Sequence, residues 1–142
     1  MIDMYKAVKE FHEIFECRIA EKTEFPDDNE RDLRMRLLKE EYLEYREAEE
    51  NDDFIEVADA LADMMYIILG TAVSYGIPID KVFEEVHNSN LTKLWNGKVK
   101  KRSDGKILKP DTFLPPNIPE VLRRHVYGAN NHISVLAETY KL

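Results

Sequence analysis

The stretch from Leu37 to Gly70 constrains the fold of this chain more than any other. Two segments of helical periodicity are joined by an acidic turn at residues 51–53. The second segment is apolar on nearly all sides, as is typical of a helix buried in a core. Carboxylates still recur on both segments at steps of three and four residues, which places each set on one helix face. They are Glu41 and Glu44 on the first segment, and Glu56, Asp59 and Asp63 on the second.

These carboxylates lack counter-charges. Neither segment carries enough Lys or Arg on the same face, and isolated buried carboxylates are costly to keep ionised. Two antiparallel helices would bring the acidic groups to one point, where a divalent cation could neutralise them. Oxygen ligands without paired Cys or His favour Mg²⁺ or Mn²⁺ over zinc. We expect more than one ion once an anionic substrate is bound.

The sequence alone leaves alternatives to this metal site open. The acidic residues could form solvated helix faces, and Asp63 could be a ligand, a supporting group or an acceptor for a buried Tyr. A di-iron bundle would need paired E-x-x-H motifs. The chain has one such spacing, Glu84 with His87, so the sequence does not favour di-iron.

The remaining periodicity predicts an all-α antiparallel bundle of about four to five helices, and we expect dimerisation to complete it. We expect Asp28 or Asn29 to cap the second helix, and Asp53 to cap the third. The loop 95–117, with turns at Asn96-Gly97 and Asp104-Gly105, should be hairpin-like. We expect one domain over 1–142, with a core of about 1–118 and a C-terminal helix and tail at 119–142. The predicted helices cover residues 2–22, 30–50, 53–75, 78–94 and 119–127.

Composition narrows the class of protein. The net charge of −8 argues against duplex nucleic acid as a partner. The sequence contains no apolar run of roughly 18 residues, so we expect no membrane span. It has one Cys and no signal-peptide pattern, and both observations fit a cytoplasmic protein. The charge is uneven, however. Seven Lys or Arg residues between Lys93 and Lys109 are opposed by Asp104 alone, and such a basic loop could meet phosphates.

The pattern E40-E-Y-L-E44 followed by E56-V-A-D59 resembles the E-E-x-x-E…E-x-x-D signature of the all-α nucleoside triphosphate pyrophosphohydrolases. That superfamily includes MazG proteins, dimeric dUTPases and phosphoribosyl-ATP pyrophosphohydrolases. The resemblance is closest to the last branch and extends over roughly residues 8–118. It includes F11-H12, R36-L-L-K-E-E, A-L-A-D-M-M-Y, G70-T-A, V86-H-N-S-N-L-T-K93 and D104-G-K-I-L-K-P.

This resemblance implies a dimer, or a dimer of dimers, that uses Mg²⁺ to cleave a nucleoside triphosphate between its α and β phosphates. The products would be a nucleoside monophosphate and pyrophosphate. Glu41, Glu44, Glu56 and Asp59 would be metal ligands. Glu40 and Glu41 are the candidate catalytic residues, with Glu40 either a further ligand or the base that activates water.

Several other residues are candidates for contact with the substrate. Lys93, Lys106 and Lys109 could neutralise phosphate oxygens, although each could equally be a solvated surface lysine. The amides of Asn88 and Asn90 could bind a base edge or a sugar, or form an ordinary helix end. Trp95 and His12 could contact the base, or belong to the core. Two other functions stay open: nucleotide binding without turnover, and a helical interaction module.

Overall fold

The computed structural model describes residues 1–125 of the chain. Within that range the protein is all-helical, with five helices and no β-strand, which confirms the predicted fold class. Two isolated bridges, Trp95 with Lys98 and Lys101 with Ile107, give the loop after the fourth helix its expected hairpin character. The helices are α1 (Met4–Ile14), α2 (Asp28–Glu50), α3 (Phe54–Tyr75), α4 (Ile79–Leu91) and α5 (Ile118–Arg124).

Side-chain caps fix where four of the described helices begin, and in α1 the Asp3 side chain accepts a hydrogen bond from the backbone N–H of Lys6. The predicted cap of α3 is confirmed, since the Asp53 side chain accepts a hydrogen bond from the backbone N–H of Glu56. The predicted cap of α2 is wrong by one residue, because Asp27 accepts from the N–H of Glu30 and Asp28 is already helical. Asn117 caps α5 in the same way.

Three predicted helices are shorter than expected, and the last of them, α5, ends at Arg124 and not near residue 127. α1 ends at Ile14 and not near residue 22, because Glu16 adopts a left-handed backbone conformation with φ of 56° that interrupts the helix. α4 ends at Leu91 and not near Leu94, and the Thr92 hydroxyl donates to the carbonyl of Ser89 in its last turn. The predicted tail beyond residue 125 lies outside the described residues.

The chain divides into two compact units, Met1–Ile77 and Pro78–Leu142, and the single domain over 1–142 stays a prediction. In the first unit, α3 packs against both α1 and α2. α2 and α3 run antiparallel, joined by a turn in which the N–H of Asp53 donates to the carbonyl of Ala48 over 2.9 Å. Ala48 and Ala60 are buried, so the helices approach closely near this turn.

A polar layer crosses the first unit on the side away from that turn. The Arg34 side chain is buried between α2 and α3, where it donates to the Ile67 carbonyl and to the Thr71 hydroxyl, each over 3.1 Å. His12 of α1 is also buried, and its Nδ1 lies 2.7 Å from the Arg18 carbonyl oxygen. Gly70 makes room for both, since a Cβ there would lie 2.5 Å from Arg34 Nη2.

The second unit connects α4 and α5 through the hairpin. α4 packs against α5, and the Glu85 carboxylate accepts a hydrogen bond from the Asn117 N–H over 2.7 Å. The buried Ser89 hydroxyl donates to the Leu114 carbonyl over 2.6 Å. The returning strand-like segment is therefore tied to the last turn of α4.

α3 is long and apolar enough to cross a membrane by length and composition, the one helix in residues 1–125 that is. The core helix of a soluble protein can meet the same criteria, so this evidence is weak. α3 also carries Glu56, Asp59 and Asp63, which would be costly in lipid. The absence of a membrane partner stays a prediction.

Candidate carboxylate metal site

The register of α2 against α3 decides which acidic residues meet. Glu30 accepts a hydrogen bond from the Ser74 hydroxyl over 2.7 Å, and Arg34 lies against Gly70. Two helical turns further along α2 lies Glu41, which interacts electrostatically with Asp63 of α3. The α2–α3 seam thus changes from a neutralised polar layer to a cluster of carboxylates.

Glu41 is the most constrained member of that cluster. Its side chain is half-buried, and its Oε2 atom is buried without a hydrogen-bond partner among the described residues. Burial raises the pKa of the Glu41 carboxyl, and the nearby charges of Glu44, Asp63 and Glu40 raise it further. A buried, partnerless carboxylate oxygen is rare and calls for a compensating charge.

A groove beside the α2–α3 turn extends the acidic surface. Its volume is about 440 Å³, and its lining combines acidic residues with the buried Ala48 at its base. Glu44 and Glu56, both predicted ligands, face it from the two helices. The lining residues are Glu44, Glu47, Ala48, Asn51, Asp53 and Glu56.

The structure places the predicted ligands on the two adjacent helices α2 and α3. Glu40, Glu41 and Glu44 interact on α2, and Glu44 and Glu56 share the groove. Asp59 is exposed and lies one helical turn from Asp63. Across residues 1–125, no three acidic, His or Cys side chains are close enough together to hold an ion as they stand.

The chemistry of the cluster nevertheless fits a divalent cation. The donors are hard carboxylate oxygens, the type that Mg²⁺ and Mn²⁺ prefer. Like-charged carboxylates repel one another, so their separation without a counter-ion is expected, and exposed side chains such as Glu44 and Glu56 can rotate. Burial fixes the partnerless Glu41 oxygen, whereas rotation of the exposed side chains changes their separations.

The predicted substrate-binding residues occupy different settings. His12 is buried and hydrogen-bonded in the first unit, a setting that stabilises the fold. Trp95 donates its ring N–H to the Leu108 carbonyl and carries the Lys100 ammonium 4.1 Å from its ring centroid. Asn90 is exposed at the end of α4, and Asn88 lines a cavity of about 250 Å³ between α4 and α5.

The three candidate lysines also differ. Lys93 and Lys109 both lie over the ring of Phe113, whereas Lys106 is exposed and forms no ion pair in the described part of the chain. Substrate contact by any of these residues stays a prediction.

Sequence reasoning undervalued two features of the site. It left open whether Asp63 is a ligand or a supporting group, whereas the helix register sets Asp63 opposite Glu41. The signal was available, because residues facing each other in an antiparallel helix hairpin have position numbers with a nearly constant sum. It also missed Arg34 as the buried cation of the neighbouring layer, which would have required knowing that Gly70 leaves space for it.

Comparison with known proteins assigns the chain a family. The sequence matches the family described as phosphoribosyl-ATP pyrophosphohydrolase over residues 8–90, which is more than half of the chain and includes every carboxylate of the cluster. A comparison with curated proteins gave no significant match. Family members are typically dependent on a divalent metal and act as nucleotide pyrophosphohydrolases. The chain therefore belongs to the phosphoribosyl-ATP pyrophosphohydrolase family, within the MazG-like nucleotide pyrophosphohydrolase superfamily.

Proposed function

We propose that this protein hydrolyses a nucleoside or deoxynucleoside triphosphate between the α and β phosphates, in a reaction that requires Mg²⁺ or Mn²⁺. The observation that carries the proposal is the partnerless, half-buried Glu41 carboxylate, which lies among acidic residues that raise its pKa. Family membership supplies the reaction class. The products would be a nucleoside monophosphate and pyrophosphate.

Glu41, Glu44, Glu56 and Asp59 would hold the cation, and we add Asp63 as a further candidate because of its position opposite Glu41. A bound divalent ion supplies positive charge that offsets the carboxylates and the phosphates and makes water more acidic. More than one ion would be needed to balance both the cluster and a triphosphate.

Glu40 is the candidate general base. It is exposed on α2 and lies one helical turn before Glu44. Its carboxylate can therefore face solvent while the neighbouring carboxylates would hold the cation. In the reaction, a water oxygen forms a bond to the α-phosphorus as the bond between that phosphorus and the α–β bridging oxygen breaks. The proton that water loses would pass to Glu40, and the departing pyrophosphate would carry the bonding electrons.

The basic hairpin would meet the anionic substrate. Lys93, Lys106 and Lys109 form no ion pair with any described carboxylate, so their charges are available to phosphate oxygens. As flexible point charges, they would neutralise phosphates and would not select a base. Asn88, Asn90, Trp95 and His12 stay the candidates for contact with the nucleoside.

The decisive experiment measures the first product. Purified protein with Mg²⁺ is incubated with each natural and several modified nucleoside triphosphates, and also with phosphoribosyl-ATP, and the products are separated by ion-exchange chromatography. We expect a monophosphate and pyrophosphate from at least one substrate. Orthophosphate as the first product would contradict the proposed bond cleavage, and tight nucleotide binding without any product would favour a binding protein instead.

We also propose that the protein is a homodimer or a homotetramer in the cytoplasm. The fully buried apolar residues of the first unit are mainly small, while larger ones on α3 remain substantially exposed. Leu61, Met65 and Ile68 recur at helical spacing and are 44–46% exposed, so they form one continuous stripe. Apolar surfaces of this kind mark protein–protein contacts, and a second copy of the chain is the partner we propose.

Acidic substitution of this stripe is expected to produce a monomer. In a Leu61→Asp/Ile68→Asp variant, two carboxylates would have to be buried in the subunit contact, at a cost of several kcal/mol. Light scattering coupled to size-exclusion chromatography would report the change of mass. Val99→Asp, which alters an exposed apolar residue of the hairpin, is the matched control. A wild-type protein that is already monomeric at micromolar concentration would contradict the proposal.

A further inference from the structure

Two lysines of the second unit share one aromatic ring. The Nζ atom of Lys93 lies 6.0 Å from the ring centroid of Phe113, and that of Lys109 lies 4.8 Å from the same centroid. Lys93 follows the last turn of α4, whereas Lys109 comes from the far side of the hairpin. Positions sixteen residues apart in sequence therefore converge on a single side chain.

The ring is held in place by its neighbours in the chain. The Phe113 N–H donates to the Pro110 carbonyl over 3.0 Å. On the other side, the Leu114 N–H donates to the Thr92 hydroxyl over 2.9 Å, and the Leu114 carbonyl accepts from Ser89. Three hydrogen bonds thus fix the backbone on both sides of Phe113, two of them from the end of α4.

The charge of this pair is not balanced. Neither Lys93 nor Lys109 forms an ion pair with any carboxylate in residues 1–125, and Asp111, the acidic residue nearest to Lys109 in sequence, pairs with neither. By contrast, Arg102 of the same hairpin is neutralised by Asp104, with its Nε 2.9 Å from a carboxylate oxygen. A ring face attracts an ammonium group only weakly. Two like charges on one ring therefore repel each other unless an anion lies between them.

One phosphate chain can contact both lysines. Because both distances are measured to the same centroid, the two ammonium groups cannot be further apart than the sum of those distances. A di- or triphosphate carries anionic oxygens on every phosphate, so a single ligand offers partners to both ammonium groups. Lysine side chains lose rotamer entropy when they are fixed, and contact with the ring removes part of that cost before the ligand binds.

We propose that Phe113 is a positioning residue that holds Lys93 and Lys109 as a two-cation clamp for a phosphoanhydride chain. This proposal rests on the proposed function, because the ligand of the clamp is assumed to be the polyphosphate part of the substrate. Phe113 itself contacts neither substrate nor reacting atoms in this proposal. It acts through the two lysines, and its contribution is the electrostatic attraction of its ring face for their ammonium groups.

The test uses inorganic triphosphate as the probe, titrated calorimetrically into the full-length protein in buffer free of divalent ions. Replacing either lysine, Lys93→Gln or Lys109→Gln, should weaken binding about tenfold. Phe113→Leu, which keeps an apolar side chain without a ring face, should weaken it about two- to fivefold. Phe113→Tyr keeps the ring and should bind within about twofold of wild type. Lys98→Gln is the matched control, since this exposed hairpin lysine contacts no ring, and it should also stay within about twofold.

A combined variant separates positioning from a general loss of structure. Adding Phe113→Leu to the Lys93→Gln/Lys109→Gln background should cause no further loss of affinity if the ring acts through the lysines. Three results would overturn the proposal. Phe113→Leu could lower the affinity for triphosphate equally in both backgrounds, or it could bind triphosphate as wild type does. Lys98→Gln could also weaken binding as much as Lys109→Gln does. If Phe113→Leu fails to fold, the Phe113→Tyr variant and the two lysine variants still test the clamp. Weak binding of triphosphate by Phe113→Tyr would contradict the clamp, and so would wild-type binding by the lysine variants.

The titration is independent of turnover. If the wild-type protein releases no pyrophosphate from any nucleotide but binds triphosphate through the clamp, the proposed function fails and the clamp stands. If pyrophosphate is released while Phe113→Leu binds triphosphate as wild type does, the clamp fails and the proposed function stands.

Discussion

Replacing Glu41 with Gln is expected to abolish pyrophosphate release, lowering the rate by at least about a hundredfold, because the variant loses a charged ligand of the metal site. Glutamine keeps the size of the side chain, so the α2–α3 contact should persist. The rate is measured by a coupled pyrophosphate assay with Mg²⁺ at saturating nucleotide. Glu10→Gln, the same change at an exposed position of α1, is the control and should leave the rate unchanged.

The same substitution should make the metal-free protein more stable at neutral pH. Burial and neighbouring charges raise the pKa of Glu41 above its usual value of 4.5 in the folded state, so ionisation of this group opposes folding. A carboxyl whose folded pKa is raised contributes stability below the unfolded pKa and loses it as the pH rises through the folded pKa. Glu41→Gln should therefore melt at a higher temperature than wild type at pH 7, and the difference should vanish below about pH 4.

Added Mg²⁺ reverses this order. Binding of an ion to the folded state raises the melting temperature of wild type by mass action, and the variant should respond much less. A scan of melting temperature against pH, with and without Mg²⁺, measures both effects. A wild-type protein that is insensitive to Mg²⁺ and to chelators, with Glu41→Gln fully active, would contradict the assignment of Glu41 as a ligand.

Replacing Gly76 with Ala is expected to cause the largest loss of stability of any glycine substitution in the described chain, about 3 kcal/mol. Gly76 ends α3 with φ of 68°, a left-handed conformation that costs other residues about 1–2 kcal/mol. A Cβ there would also press on the backbone carbonyl of Lys22, with the carbonyl carbon 2.7 Å away. The Thr23 hydroxyl donates to the Gly76 carbonyl over 2.6 Å, so Lys22 cannot withdraw freely.

A second glycine isolates the cost of that contact. Gly97 has φ of 75°, yet a Cβ at this position would meet nothing within 4 Å. Gly97→Ala should therefore cost only the conformational part, about 1 kcal/mol. Urea denaturation of both variants gives the free energies of unfolding. Equal losses in the two variants would show that the Lys22 segment shifts to accept the methyl group.

Local chemistry explains how much of the fold was predictable. Helix beginnings at Asp53 and Asn117, and the end of α3 at Gly76, follow from side-chain caps and backbone freedom that the sequence displays directly. The end of α1 could not be foreseen in this way. Apolar periodicity continues past Ile14 to Ile19, but Glu16 takes a left-handed conformation because residues 17–24 return to contact the end of α3, where Glu24 N–H donates to the Tyr75 carbonyl.

The candidate site was predictable to a similar extent. Spacing alone identified the acidic helix faces, because steps of three and four residues are a local property. Spacing could not say that Asp63, and not Asp59, faces Glu41, since that depends on the α2–α3 register. The contact of Lys93 and Lys109 with Phe113 was likewise hidden, because it depends on how the hairpin returns to α4.

The position of Arg34 has a consequence for competition at the metal site. Arg34 precedes Glu41 by seven residues, which is about 10 Å along the helix, and its guanidinium is already engaged by Ile67 and Thr71 of α3. A free guanidinium at that distance could bend toward the carboxylates and displace a divalent ion from them. Because Arg34, the only buried arginine in the described chain, is held one layer away, its charge does not neutralise the acidic cluster, and the proposed metal site would take its positive charge from solution.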